Sequence, residues 1–103
     1  KVVKDKDEFD FLVEGHTDDK PIATSTIKDN WDLSAKRAIS VVRVLEDEYN
    51  VDPKRMSAAA RSKYLPVASN DSAEGRAKNR RTKIIVLPKL DEFFGMIEDK
   101  MKK

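Results

Sequence analysis

Asp18 and Arg37 are the residues of this chain whose types best suit recognition chemistry. The carboxylate closes the stretch Gly15-His16-Thr17-Asp18, and the guanidinium lies inside Asn30-Trp31-Asp32-Leu33-Ser34-Ala35-Lys36-Arg37-Ala38. If folding brings them together, the two can grip a small zwitterion, Asp18 taking its ammonium and Arg37 its carboxylate. Arginine offers a planar fork suited to bidentate carboxylate binding, which lysine does not. A third stretch, Gly75-Arg76-Ala77-Lys78-Asn79-Arg80-Arg81, precedes the last clear apolar run. An aspartate and an arginine distant in sequence also form ordinary surface ion pairs worth about 0–1 kcal/mol. The elements that position them therefore decide the matter.

Phe9, Phe11, Leu12 and Val13 read as a buried strand ending at Gly15. Asp18 follows directly and emerges at the strand's carboxyl end. A long polar loop, Asp19 to Asp29, leads to a helix from Asn30 to about Asn50, capped by Asn30 or Asp29. On that helix Asn30, Leu33 and Arg37 share one stripe beside the core stripe of Ala38, Val41, Val42 and Leu45. The turn Asn50-Val51-Asp52-Pro53 closes it, since proline disfavours helical geometry in the residue before it. A short strand from Arg55 to Ala60, a helix opening at Asp71 or Ser72 and running to about Arg80, and a strand from Thr82 to Leu87 follow. After Pro88, the residues Leu90, Phe93, Phe94, Ile97 and Met101 form the apolar stripe of a last helix. This order predicts an α/β fold, a two-layer α/β sandwich with a β-α-β-α-β core over about 9–87 and an added C-terminal helix over about 89–103. All 103 residues then form one domain.

Composition limits the function. Twenty-one Lys and Arg against 19 Asp and Glu leave a net charge of +2, too balanced for a general nucleic-acid binder. The basic run Lys78-Asn79-Arg80-Arg81 also sits where a helix dipole favours cations. With no cysteine and one histidine, neither a disulfide nor a typical zinc site can form, and no cofactor is expected. No nucleophile-elbow motif supports a serine-histidine-aspartate arrangement around His16, which reads as a structural histidine bonded to loop backbone. Trp31 is expected to pack across the helix entrance rather than to meet a ligand. A hydrolase would need paired carboxylates or a metal, so no enzyme is expected. No segment approaches the roughly 18 apolar residues that span a bilayer. The start at Lys1 suggests an excised domain whose membrane-attaching segment lies upstream.

Gly-His-Thr-Asp, Asn-x-x-Leu-Ser-x-x-Arg-Ala and Asn-Arg-Arg occur in this order between about Phe9 and Leu87, and together they resemble the OmpA-like peptidoglycan-binding domain. The variant Gly-His-Thr-Asp-Asp-Lys-Pro-Ile with Asn-Trp-Asp-Leu-Ser is most similar to the type found in the C-terminal domain of the flagellar stator protein MotB. The resemblance implies non-covalent binding of the peptidoglycan stem peptide through its diaminopimelate residue. It implies Asp18 and Arg37 as the gripping pair, with Thr17, Asn30 and Leu33 at the ligand and Arg80 orienting Asp18 or touching the ligand. The diaminopimelate side chain ends in an ammonium and a carboxylate, and lysine in its place lacks the carboxylate that Arg37 would take. The implied setting is the periplasm, with tethering to the outer or inner membrane through a segment absent from this chain.

The chain departs from the family pattern after the second strand, where relatives carry a glycine-aromatic-glycine turn and this chain has Ala60-Arg61-Ser62. Lost backbone freedom there is expected to reshape the rim of the site. It also supports the alternative reading, an assembly module that keeps the fold without holding ligand. The C-terminal stripe is expected to pack on its own sheet, with a homodimer through this helix as the alternative.

Overall fold

The structure, a computed structural model, describes residues 9–88 together with 100–101. Three strands form one sheet in the order β2-β1-β3: β1 is Phe9–His16, β2 Met56–Ala60 and β3 Arg81–Pro88. β1 is central, parallel to β2 (Phe11 opposite Met56, Gly15 opposite Ala60) and antiparallel to β3 (Phe9 opposite Pro88, His16 opposite Arg81). Parallel neighbours require a crossover, and α1 (Asn30–Tyr49) supplies it. The shorter α2 (Ala73–Asn79) leads into β3. The expected β-α-β-α-β order is therefore present. Apart from helical Lys100 and Met101, the expected C-terminal helix lies outside the described residues.

Asp29, not Asn30, caps α1, its carboxylate accepting from the Asp32 N–H at 2.9 Å. At the other end Asn50 takes a left-handed conformation, and the Val51 N–H bonds the Leu45 carbonyl. Asparagine tolerates this geometry well. Asn50 therefore stops the helix, while Asp52 and Pro53 open a separate 3-10 turn, Pro53–Arg55.

α1 lies on the sheet face that carries Phe11, Val13 and Gly15. A side-chain carbon at Gly15 would stand only 1.9 Å from the Ser34 carbonyl oxygen and 3.1 Å from the Ala38 nitrogen. The glycine has no positive φ; it is there because helix and strand backbones nearly touch. Phe11, Val13, Ala38 and Val51 form the buried apolar core among the described residues. α1 covers β1 and β2 far more than β3, so Ile84 and Val86 remain about half exposed on the same sheet face.

The segment between β2 and α2 is irregular and is fastened by one side chain. Asn79, fully buried at the end of α2, accepts from the N–H groups of Val67 and Ala68. Its amide nitrogen donates to the Ala68 carbonyl and the Asn70 side chain.

Candidate ligand-binding site

The chain leaves β1 at His16 and immediately turns polar under cover. Thr17 and Asp18 are both buried, although neither is in a strand. Thr17 is held by its N–H to the Ser62 carbonyl at 3.0 Å, and its hydroxyl donates to the Asp18 carbonyl at 2.8 Å. Asn30, the first residue of α1, donates its amide to the carbonyls of Lys20 (3.1 Å) and Asp18 (3.4 Å). The strand end and the helix start are thus joined through Asp18.

The Asp18 carboxylate accepts from the Lys20 N–H at 3.0 Å and from Arg80 Nη1 at 2.7 Å. Burial by itself raises its pKa. The Arg80 and Lys20 hydrogen bonds and the charges of Arg80 and Arg76 outweigh that, so the pKa falls below the ordinary aspartate value. Asp18 is therefore an anion at neutral pH.

Arg37 reaches the same place from the helix, donating Nη1 to the His16 carbonyl at 2.8 Å. Its other guanidinium N–H groups have no partner among the described residues. Asp18 and Arg37 thus converge on the β1 exit without pairing with each other; Arg80 is the aspartate's partner. Leu33 is half-buried one turn before Arg37, its N–H bonded to the Asp29 carbonyl. The cations whose charge acts on the Asp18 carboxylate are Arg80 and Arg76.

His16 is almost fully buried, and its ring bonds the Glu14 carboxylate at 3.2 Å rather than the loop backbone expected of it. Arg61 joins the same carboxylate through Nε at 3.2 Å and Nη2 at 3.1 Å. Burial, the dominant influence on His16, pushes its pKa below the ordinary histidine value despite Glu14, and the ring is neutral at pH 7. Glu14 shifts downward as well, because His16 and Arg61 together outweigh the opposing effect of its burial. Among the described residues no group of three or more His, Asp or Glu could hold a metal ion.

The turn that departs from the family pattern keeps an unusual backbone. Ser62 has φ 53°, a left-handed conformation that glycine adopts more cheaply. Its N–H bonds the Ser34 hydroxyl at 3.0 Å and its carbonyl takes the Thr17 N–H. The loss of glycine therefore has not abolished the turn; Ser62 holds it under strain. Trp31, at the entrance of α1, is 50% exposed and lies against Tyr64, with ring centroids 5.6 Å apart.

The OmpA family profile matches residues 1–80. This chain belongs to the OmpA family. Its relatives include Motility protein B of Bacillus subtilis, 44% identical over 78 residues, covering 76% of this chain and 30% of that protein. Outer membrane porin F of Pseudomonas aeruginosa is 46% identical over 69 residues, 67% of this chain and 19% of the porin. Of solved structures, the C-terminal domain of Helicobacter pylori MotB (residues 125–256) superposes with a TM-score of 0.74 at 31% identity, covering 91% of this chain and 73% of that one. The cell wall anchor of the T6SS from Pseudomonas aeruginosa gives 0.70 at 45% identity, covering 78% and 55%. This OmpA-family domain thus spans a third or less of those two curated relatives. Among its described residues no helix is long and apolar enough to cross a membrane.

Proposed function

We propose that this OmpA-family domain binds peptidoglycan without chemical change, gripping the diaminopimelate residue of the stem peptide, and so anchors a membrane-attached protein to the cell wall. The observation that carries the reading is the convergence at the β1 exit of an ionised, buried Asp18 with the unengaged N–H groups of Arg37. Asp18 takes the side-chain ammonium of diaminopimelate with the lone pairs left by Arg80 and Lys20. Arg37 takes the carboxylate, and Thr17, Asn30 and Leu33 hold the walls in register. Arg80 keeps Asp18 charged and oriented. The compartment is the periplasm, as in the structures described as the periplasmic domain of Helicobacter pylori MotB, and the tether is a segment outside this chain.

Calorimetry with a diaminopimelate stem peptide tests the assignment. Arg37→Ala is expected to weaken binding by about 1.5–3 kcal/mol, the scale of hydrogen bonds to a charged group. A stem peptide carrying lysine in place of diaminopimelate should lose a similar amount on the wild-type domain. Unchanged affinity in both experiments would overturn it. Sedimentation with isolated sacculi separates this reading from the assembly module, which stays in the supernatant.

A further inference from the structure

Gly15 faces α1, so by strand alternation Glu14 and His16 point from the opposite face of β1. Both are buried, 4% and 2% exposed, directly before the residues of the proposed grip. Burying a carboxylate and an imidazole is costly, and neither meets the ligand in the reading above.

The hydrogen bonds fix the tautomer of His16. Glu14, its pKa lowered, is a carboxylate and can only accept, so His16 Nε2 carries the proton of the 3.2 Å contact. The other ring nitrogen, Nδ1, is buried and has no hydrogen-bond partner among the described residues. A second proton must go to Nδ1, where it becomes a buried donor without an acceptor, on a charged ring. The neighbours oppose that charge. Arg61, on the turn after β2, shares the Glu14 carboxylate, and Arg81, opposite His16 on β3, also bears on the ring. Lys83 stands opposite Glu14 on β3, and α1 contributes Arg37 at the His16 carbonyl. A positive His16 would have the Glu14 carboxylate to answer it, and Arg61 already shares that group.

The backbone of His16 is tied to the grip. Its carbonyl takes Arg37 Nη1 at 2.8 Å, and this bond aims the remaining guanidinium N–H groups. On either side, the Gly15 carbonyl takes the Arg61 N–H and the Thr17 N–H bonds the Ser62 carbonyl, both at 3.0 Å. A ring forced away from Glu14 therefore disturbs the acceptor of Arg37. It disturbs at the same time the turn whose Arg61 holds the other side of the carboxylate.

We infer that Glu14, His16 and Arg61 form a proton-sensitive support beneath the grip, which holds Arg37 in binding geometry while His16 is neutral and releases it when the ring takes a second proton. The inference rests on the stem-peptide reading above. By linkage, peptide and proton then oppose each other: bound peptide lowers the pH at which His16 titrates, and acid weakens peptide binding. Burial already holds the folded ring below the ordinary 6.5, so affinity is level at neutral pH and declines on the acid side of that value.

His16 is the single histidine, so its ring C–H signals in proton NMR are unambiguous. The wild-type domain is titrated from about pH 7.5 to about 4.5, alone and saturated with diaminopimelate tripeptide, a range that brackets the histidine and stays above most carboxylates. The His16 midpoint is expected to fall by about one pH unit when peptide is bound. Calorimetry should then show the protonated form binding about tenfold more weakly, the same linkage read from the other side. His16→Gln should bind with an affinity that no longer follows this titration, whatever its absolute strength. Arg61→Ala removes a positive charge that opposes protonation, so the midpoint and the decline in affinity should both move to higher pH. A support that merely braced the fold would lose affinity without moving either. An equal midpoint with and without bound peptide would overturn the inference and leave the grip standing, as would a ring that stays neutral until the domain unfolds. Absence of peptide binding at neutral pH would overturn the stem-peptide reading, and this inference with it.

Discussion

Gly15→Ala tests the geometry on which the site depends. The added carbon would stand 1.9 Å from the Ser34 carbonyl oxygen, 2.9 Å from its carbon and 3.1 Å from the Ala38 nitrogen. Carbon and oxygen rest at about 3.3 Å even in a weak C–H···O contact, so the overlap is about 1.4 Å. All three atoms belong to the α1 backbone, and no rotamer change can relieve them. Either the helix moves off the sheet or the strand bends away. Overpacking usually costs about 1–3 kcal/mol, and a clash that displaces a whole helix belongs at or above the upper end, about 3 kcal/mol. A domain of this size has about 5–15 kcal/mol in total. With a urea slope of about 1.5 kcal/mol/M the midpoint falls by about 2 M. Urea unfolding followed by Trp31 fluorescence reads this. The displaced helix also carries Arg37 away from the His16 carbonyl, so the folded fraction should bind stem peptide more weakly. A midpoint within about 0.3 M of the wild type, by the same slope, would refute the close-contact argument.

Acid should destabilise the domain in two stages. The folded pKa of His16 lies below its ordinary 6.5, so the unfolded chain binds the extra proton first; this stability is complete above about pH 6.5 and declines as the pH falls below it. Glu14 and Asp18 are lowered too, and their contributions hold above the ordinary carboxylate values of 4.5 and 3.8 and are lost beneath them. His16→Gln should abolish the upper stage; a wild-type urea midpoint that stays flat from pH 7 to 5 would contradict it. Arg80→Ala removes the 2.7 Å partner of Asp18, so the Asp18 carboxyl should titrate at higher pH by NMR, and an unmoved titration would deny Arg80 its role. Asn79→Ala strands the Val67 and Ala68 N–H groups and the Ala68 carbonyl, and is expected to cost about 2–4 kcal/mol in thermal or urea unfolding. A loss under about 0.5 kcal/mol would mean water replaces the amide without difficulty.

Apolar periodicity made the strands and the long helix legible, because a sheet covered on one face and a helix on that face impose repeats of 2 and 3.6. The stripe of Asn30, Leu33 and Arg37 was legible for the same reason. Which groups pair was legible only in part. The family resemblance, not any local pattern, pointed Arg80 towards Asp18 across 62 positions; nothing pointed Arg61 towards Glu14 across 47. His16 was assigned to loop backbone because its true partner, Glu14, sits two residues earlier on the same side of a strand, a relation clear only once the strand is known to include His16. Asn79 stood in full view within the Asn-Arg-Arg stretch. Its fourfold bonding depends on an irregular segment whose path sequence does not determine. The ring contact of Trp31 likewise depends on Tyr64, which belongs to that segment.

The placement of β1 has a mechanical consequence. Its first residue, Phe9, lies beside the chain's departure from β3 at Pro88, while its far end leads directly to Asp18. On the proposed reading, tension entering through the chain before Phe9 and leaving through a ligand held at Asp18 runs lengthwise along the central strand, about 26 Å for eight extended residues. Its hydrogen bonds to β2 and β3 lie across that direction and are loaded together in shear, rather than opened one after another as in a peeled edge strand. A pull that would unzip a hairpin must here slide a strand between two neighbours.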